Sequence, residues 1–179
     1  MTFSTYQLPH ALATAVSLWI AVSVLRRRSV PGATEFAIAM VAVGCWSATS
    51  ALEWGAPSLQ VVMSWMRLQF VAIAAIPVLW FTFASKFSGH HDWIAGRRAW
   101  TLWVIPIITV LLVWTYEYHG LMLGPHVYDP TIPYSGIRHS YGPWFWVHSL
   151  YSYGLVGYGT VLLIAGLARV PHFYRWQIA

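Results

Sequence analysis

Apolar residues run through this chain in five long stretches, at about residues 6–25, 33–54, 58–87, 98–116 and 143–168. A helix needs roughly 20 apolar residues to cross the hydrocarbon core of a bilayer. The third stretch is long enough to tilt or to protrude past the headgroups. Pro31-Gly32 makes the turn into the second, and Pro57 and Pro143 stand where a helix start tolerates proline. Pro77 and Pro106 fall inside the third and fourth stretches and predict local kinks. The pattern predicts an all-α fold: a polytopic membrane helix bundle of about five transmembrane helices, forming one transmembrane domain over residues 1–179. The one long connection, residues 117–142, is too rich in proline and glycine for a regular helix. It is also too aromatic for an ordinary linker, which predicts an ordered lid. Residues 172–179 read like the start of a sixth span.

Composition supports the bilayer. Hydrophobic residues make up 58% of the chain and charged residues 8%, against roughly 25% charged in an ordinary globular protein. So few charges cannot cover a soluble surface. The net charge is +5, but the cations lie in short runs between apolar stretches, with no basic face or motif for nucleic acid. Arg26, Arg27, Arg28, Lys86, Arg97, Arg98, Arg169 and Arg175 all fall on one side of the predicted bundle, and Arg138 is the one basic residue in the loops of the other. The lysine and arginine bias predicts the N-terminus outside, span five running inward, and a multi-pass protein of the cytoplasmic membrane. The first stretch is read as a retained span, because its basic cluster follows the apolar run where a signal peptide's would precede it. Cys45, alone in an apolar segment, reads as a small buried core residue.

Ionisable residues at membrane depth need a partner or a purpose. Glu53 lies at the outer end of the second span, and Arg67 lies in the third, about three turns from the same side. The short Gly55-Ala56-Pro57 turn makes these helices antiparallel neighbours. The sequence therefore suggests an Arg67–Glu53 ion pair, either a clamp on helix register or a ligand-contacting pair in an outward cavity. His119, His126, Asp129, Arg138 and His139 share the outer loop. Histidine and carboxylate suit zinc, but the spacings match no zinc pattern, and no metal is assigned. His10 and His148 read as bundle residues. Among twelve tryptophans, Trp54, Trp93, Trp100, Trp114, Trp144 and Trp146 fall near span ends, as an aromatic belt requires. Trp19, Trp46, Trp65, Trp80 and Trp103 lie deeper and are not explained that way. The sole lysine, Lys86, is at a span end, which excludes a retinal-type Schiff base in mid-membrane. The residues name no cofactor, and lipid or pigment binding is left open. Small residues suggest helix contacts: Gly44 and Ala48 in span two, and Ser149, Ser152, Gly154, Gly157 and Gly159 in span five. The sequence holds no phosphate loop, nucleophile elbow or metalloprotease motif, and no catalytic residue is assigned.

Several stretches, in order, carry a family resemblance. Arg26-Arg27-Arg28-x-x-Pro31-Gly32-Ala33 leads into a span ending Ala51-Leu52-Glu53. The next reads Arg67-Leu68-Gln69-Phe70, then Pro77-Val78-Leu79-Trp80-Phe81. Ile105-Pro106, His119-Gly120-Leu121, Gly142-Pro143-Trp144-Phe145-Trp146, Tyr151-Ser152-Tyr153 and Tyr174-Arg175-Trp176-Gln177 follow. The set resembles the seven-helix N-terminal sensor region of bacterial and archaeal histidine kinases and related diguanylate cyclases. The resemblance implies a membrane sensor that passes a signal to a cytoplasmic output module, as in a two-component system. It also implies a chain cut after the fifth helix, with any kinase or cyclase activity in a module beyond Ala179. A second reading is a structural or accessory subunit of a larger membrane complex, which needs only helix-packing surfaces and a protein partner or self-association in the membrane. A small transporter or channel is a third, weakened by the lack of a visible inverted repeat.

Overall fold

The computed structural model describes residues 5–27, 29–90, 94, 96–125, 127–128, 137–138 and 140–169. The predicted sixth span, 172–179, lies outside them. The bundle is built from α1 (Gln7–Leu25), α2 (Ala33–Trp54), α3 (Leu59–Phe87), α4 (Arg97–Thr101), α5 (Val104–Trp114) and α6 (Pro143–Arg169). Between α5 and α6 lie a 3-10 turn (Tyr116–Tyr118) and a two-residue antiparallel ladder, β1 (Val127–Tyr128) with β2 (Ile137–Arg138). Lipid offers backbone groups no hydrogen bonds, so apolar runs of this length close their own as helix. Among the described residues, α1, α2, α3 and α6 are long and apolar enough to cross a membrane.

α3 is the hub. Its 29 residues rise about 44 Å, and it is the most deeply buried of the long helices. α1 packs along α2, α2 along α3, and α3 also takes α5 and α6. Close backbone approach marks these seams. A Cβ on Gly44 would meet Leu18 of α1 at 3.3 Å, and one on Gly159 would meet Trp80 and Ala84 of α3 at 3.2 and 3.3 Å. Gly154 and Gly157, expected to pack, have nothing within 4 Å. Much of the remaining surface is apolar and exposed, including Leu12, Val16 and Trp19 on α1 and Leu150, Val161 and Ile164 on α6.

The predicted fourth span is interrupted. Pro106 has no N–H to offer the carbonyl of Leu102 four residues back. The regular helical hydrogen bonding lapses at Leu102-Trp103, between α4 and α5, while both residues keep right-handed helical backbone angles. The hydroxyl of Tyr151 on α6 donates to that carbonyl, so the group freed by proline is satisfied by a neighbour. The apolar helix here, Ala99–Trp114, is shorter than the four long ones. Pro77, by contrast, leaves α3 as one continuous helix.

Helix alternation brings the end of α1, both ends of the α3–α4 connection and the end of α6 to one end of the bundle. At this basic end Lys86 pairs with Glu35 of α2, and Ser88 donates to the Leu162 carbonyl of α6 at 2.9 Å. Gly32 caps α2 at φ +82°, and a Cβ there would lie 2.9 Å from the Phe83 carbonyl oxygen. Gly32→Ala therefore meets both left-handed strain and a backbone clash. It should cost about 1–3 kcal/mol, read as a melting point several degrees lower in detergent. Gly154→Ala, with open space around it, should leave the melting point unchanged or slightly raised.

Candidate functional site

At the opposite, lid end, α2, α3 and α6 enclose a cavity of about 490 Å³. Its α3 wall is Met66, Gln69, Phe70, Ile73, Ile76 and Pro77, a stripe with helical spacing. Its α6 wall is Phe145, His148, Ser149, Ser152, Tyr153 and Val156, again one helical face. α2 contributes Trp46 and Glu53, seven residues apart. Ser149 and Ser152, expected to be helix-packing residues, line this space. The walls are mostly apolar, with polar atoms at Glu53 with Gln69 and at His148 with the two serines.

Glu53 is in the last turn of α2 and is 8% exposed, and Gln69 is 7% exposed. The Gln69 amide donates to the Glu53 carboxyl. This corrects the expected Arg67–Glu53 pair: Arg67 Nη2 lies 2.6 Å from Glu117 instead. The reason is helical phase. Arg67 and Gln69 are two residues apart, about 200° around the helix. With Gln69 turned to α2, Arg67 faces away, toward the 3-10 turn after α5. There its guanidinium lies 5.4 Å from the centre of the Tyr116 ring. Burial, reinforced by the Glu117 charge and opposed by Arg67, pushes the Tyr116 hydroxyl pKa up.

His148 is buried and fully engaged. The Trp144 indole N–H donates to the Thr109 hydroxyl at 3.0 Å. Thr109 donates its own proton to the Ile105 carbonyl at 2.8 Å. Its 3.2 Å contact with His148 Nδ1 must then be one it accepts. In the neutral ring this leaves Nε2 as an acceptor, 3.3 Å from Ser152 Oγ.

The lid stem forms part of the cavity's wall. Met122 and Leu123 are almost wholly buried and join Met63, Met66, Phe70 and Val113 in one apolar cluster. Gly124 N–H donates to the Ser140 carbonyl at 2.9 Å, Gly142 N–H to Met122 at 3.1 Å and Trp144 N–H to Leu121 at 2.9 Å. The expected lid is thus ordered at its stem, where Leu123 and Tyr141 reach the cavity. His119 belongs to this stem rather than to the cavity wall. Its Nδ1 accepts from Leu121 N–H at 3.1 Å, and its Nε2 lies 2.9 Å from Thr115 Oγ1. His126, Asp129 and His139, and the Arg138 side chain, lie outside the described residues. Among the described residues no cluster of three histidine, cysteine or acidic side chains could hold a metal.

Sequence reasoning missed Gln69 and Glu117. The signal for Gln69 was the helical phase it shares with Met66, Ile73 and Ile76. Glu117 gave none, being one polar residue at the start of a long loop. Burial separates the two pairs energetically. Glu117→Gln should cost under about 1 kcal/mol, because Glu117 is exposed. Gln69→Leu, which strips a buried carboxyl of its donor, should cost about 1–3 kcal/mol. Thermal unfolding of the two variants in the same detergent checks the order.

The family model described as the N-terminal 7TM region of histidine kinase matches residues 9–179. No curated protein and no solved structure matches the chain. The apolar helices and the family together make this a multi-pass membrane protein. The chain belongs to the N-terminal 7TM region of histidine kinase family.

Proposed function

We propose that this chain is a sensory input domain whose cavity between α2, α3 and α6 takes the stimulus, a small amphipathic molecule carrying a cationic or hydrogen-bond-donating group. The observation that carries this reading is Glu53. It is a buried carboxyl lining a mostly apolar cavity, and among the described residues its side chain has one hydrogen-bond partner, the neutral Gln69 amide. A carboxylate accepts several hydrogen bonds, so acceptor capacity remains. The hydroxyl oxygens of Ser149 and Ser152, which can accept as well as donate, add to a site that favours donors. Apolar walls suit the ligand's body, as in most small-molecule sites.

The basic end faces the cytoplasm, by the lysine and arginine bias, and the lid faces outward. The membrane is then the cytoplasmic membrane. α6 forms one wall of the cavity and runs to the basic end, so a ligand that favours one α2–α6 spacing shifts the population of the packing presented there. The family supports a histidine kinase output module as the receiver, and catalysis belongs to that module.

The test pairs binding with output. The protein is reconstituted in phosphatidylcholine nanodiscs and titrated with decylamine, decanol and decanoate. The amine should bind at least tenfold more tightly than the carboxylate, and Glu53→Gln should erase the preference. In the full-length protein, saturating amine should change histidine autophosphorylation several-fold. Equal affinity for all three probes contradicts the site chemistry. Saturation without any change in phosphorylation contradicts the sensory role.

A further inference from the structure

A second cavity, of about 560 Å³, opens at the basic end between α1, α2 and α3. It is independent of the sensor site, which lies at the other end of the bundle. Its lining combines two chemistries. Trp19, Phe36, Phe83 and Phe87 supply an aromatic wall, and Arg26 and Arg27 supply cations at its mouth. Phe83 packs between Phe36 and Phe87, with ring centres 4.9 and 5.7 Å away.

The charges at this end leave Arg26 and Arg27 over among the described residues. Among the described residues, Glu35 is the one acid near the basic end, and Lys86 takes it. No ion pair of Arg26 or Arg27 occurs among the described residues. The first turn of α2 also opens here, with Ala33 in the lining, although the Ala33 N–H is taken by the Val30 carbonyl at 3.1 Å, so the arginines are the cations the cavity offers. Two guanidinium forks suit a phosphate, which arginine binds through paired hydrogen bonds.

The apolar lining chooses among phosphates. A free phosphate needs no aromatic wall, whereas a phospholipid needs one beside its headgroup. Trp19 is 70% exposed, and it continues a surface stripe with Val16 and Leu12, which are also exposed. These three are spaced as one face of α1. Acyl chains leaving the cavity would run along that stripe into the hydrocarbon. Basic pockets between transmembrane helices bind anionic headgroups for these same reasons.

We infer that the cavity bounded by Arg26, Arg27, Trp19, Phe36, Phe83 and Phe87 binds one anionic phospholipid, its phosphate on the two arginines and its chains against the aromatic wall. The lipid would fill the wedge where α1 and α2 join α3.

Native mass spectrometry of the detergent-solubilised protein, titrated with phosphatidylglycerol or phosphatidylcholine, tests this. One phosphatidylglycerol should be retained at least fivefold more tightly than phosphatidylcholine. Arg26→Gln/Arg27→Gln should reduce it to the phosphatidylcholine level. Arg97→Gln, which removes a cation at the same end but outside the cavity, should not. Stoichiometric phosphatidylglycerol with brominated chains should quench a fraction of tryptophan fluorescence that Trp19→Phe removes. This arm decides the matter if the double arginine variant fails to fold, because Trp19 is largely exposed. Equal retention of the two lipids, unchanged retention in the double variant, or quenching indifferent to Trp19 overturns the inference. So does displacement of the lipid by millimolar inorganic phosphate, which would show a free-anion site.

Discussion

A hydrocarbon layer hydrogen-bonds nothing, so each polar group carried into it must find its partner inside the protein. In this bundle α3 supplies several of those partners. Gln69 answers Glu53 of α2, Lys86 answers Glu35 of α2, Arg67 answers Glu117 after α5, and Ser88, just past its end, answers the Leu162 carbonyl of α6. These contacts tie one helix to three neighbours at several depths. Apolar packing alone discriminates weakly between helix rotations in lipid, because lipid tails are as apolar as leucine. The polar pairs set which face of α3 each neighbour meets. The same logic explains the break in the fourth apolar segment, where the proline-freed carbonyl of Leu102 is taken by Tyr151.

The two cavities follow from that arrangement. α2 and α6 both lean on α3 and are held to it at chosen points, so space opens between them at the lid end. At the other end the α1–α2 turn is pinned to α3 through Gly32 and the Lys86–Glu35 pair, and a second space opens beside it. Two tryptophans that an aromatic belt leaves unexplained find their place here. Trp46 lines the first cavity and Trp19 the second.

Most of the architecture was legible in the sequence, because span length and apolar run are the same quantity in a bilayer. The predicted stretches at 33–54 and 143–168 match α2 and α6 almost residue for residue. The family resemblance was legible too, from ordered motifs rather than from any single one. The candidate site was only half legible. Glu53 stood out because an acid at that depth demands an explanation, but depth along a helix says nothing of direction around it. Counting turns placed Arg67 opposite Glu53, whereas helical phase places Gln69 there. The serines of α6 misled for a related reason: small side chains serve a tight helix seam and a cavity wall equally well. The break at Leu102-Trp103 was expected only as a kink, since nothing local to Pro106 announces that Tyr151, 49 residues from Leu102, will satisfy the carbonyl it frees.

The claim on which the rest depends is that Glu53 is held by Gln69 and not by Arg67. Double-mutant cycles on thermal unfolding measure this directly, pairing Glu53→Gln with Gln69→Leu and, separately, with Arg67→Gln. The account predicts a coupling of about 0.5–3 kcal/mol for Glu53 with Gln69 and close to zero for Glu53 with Arg67. The reverse order would contradict it.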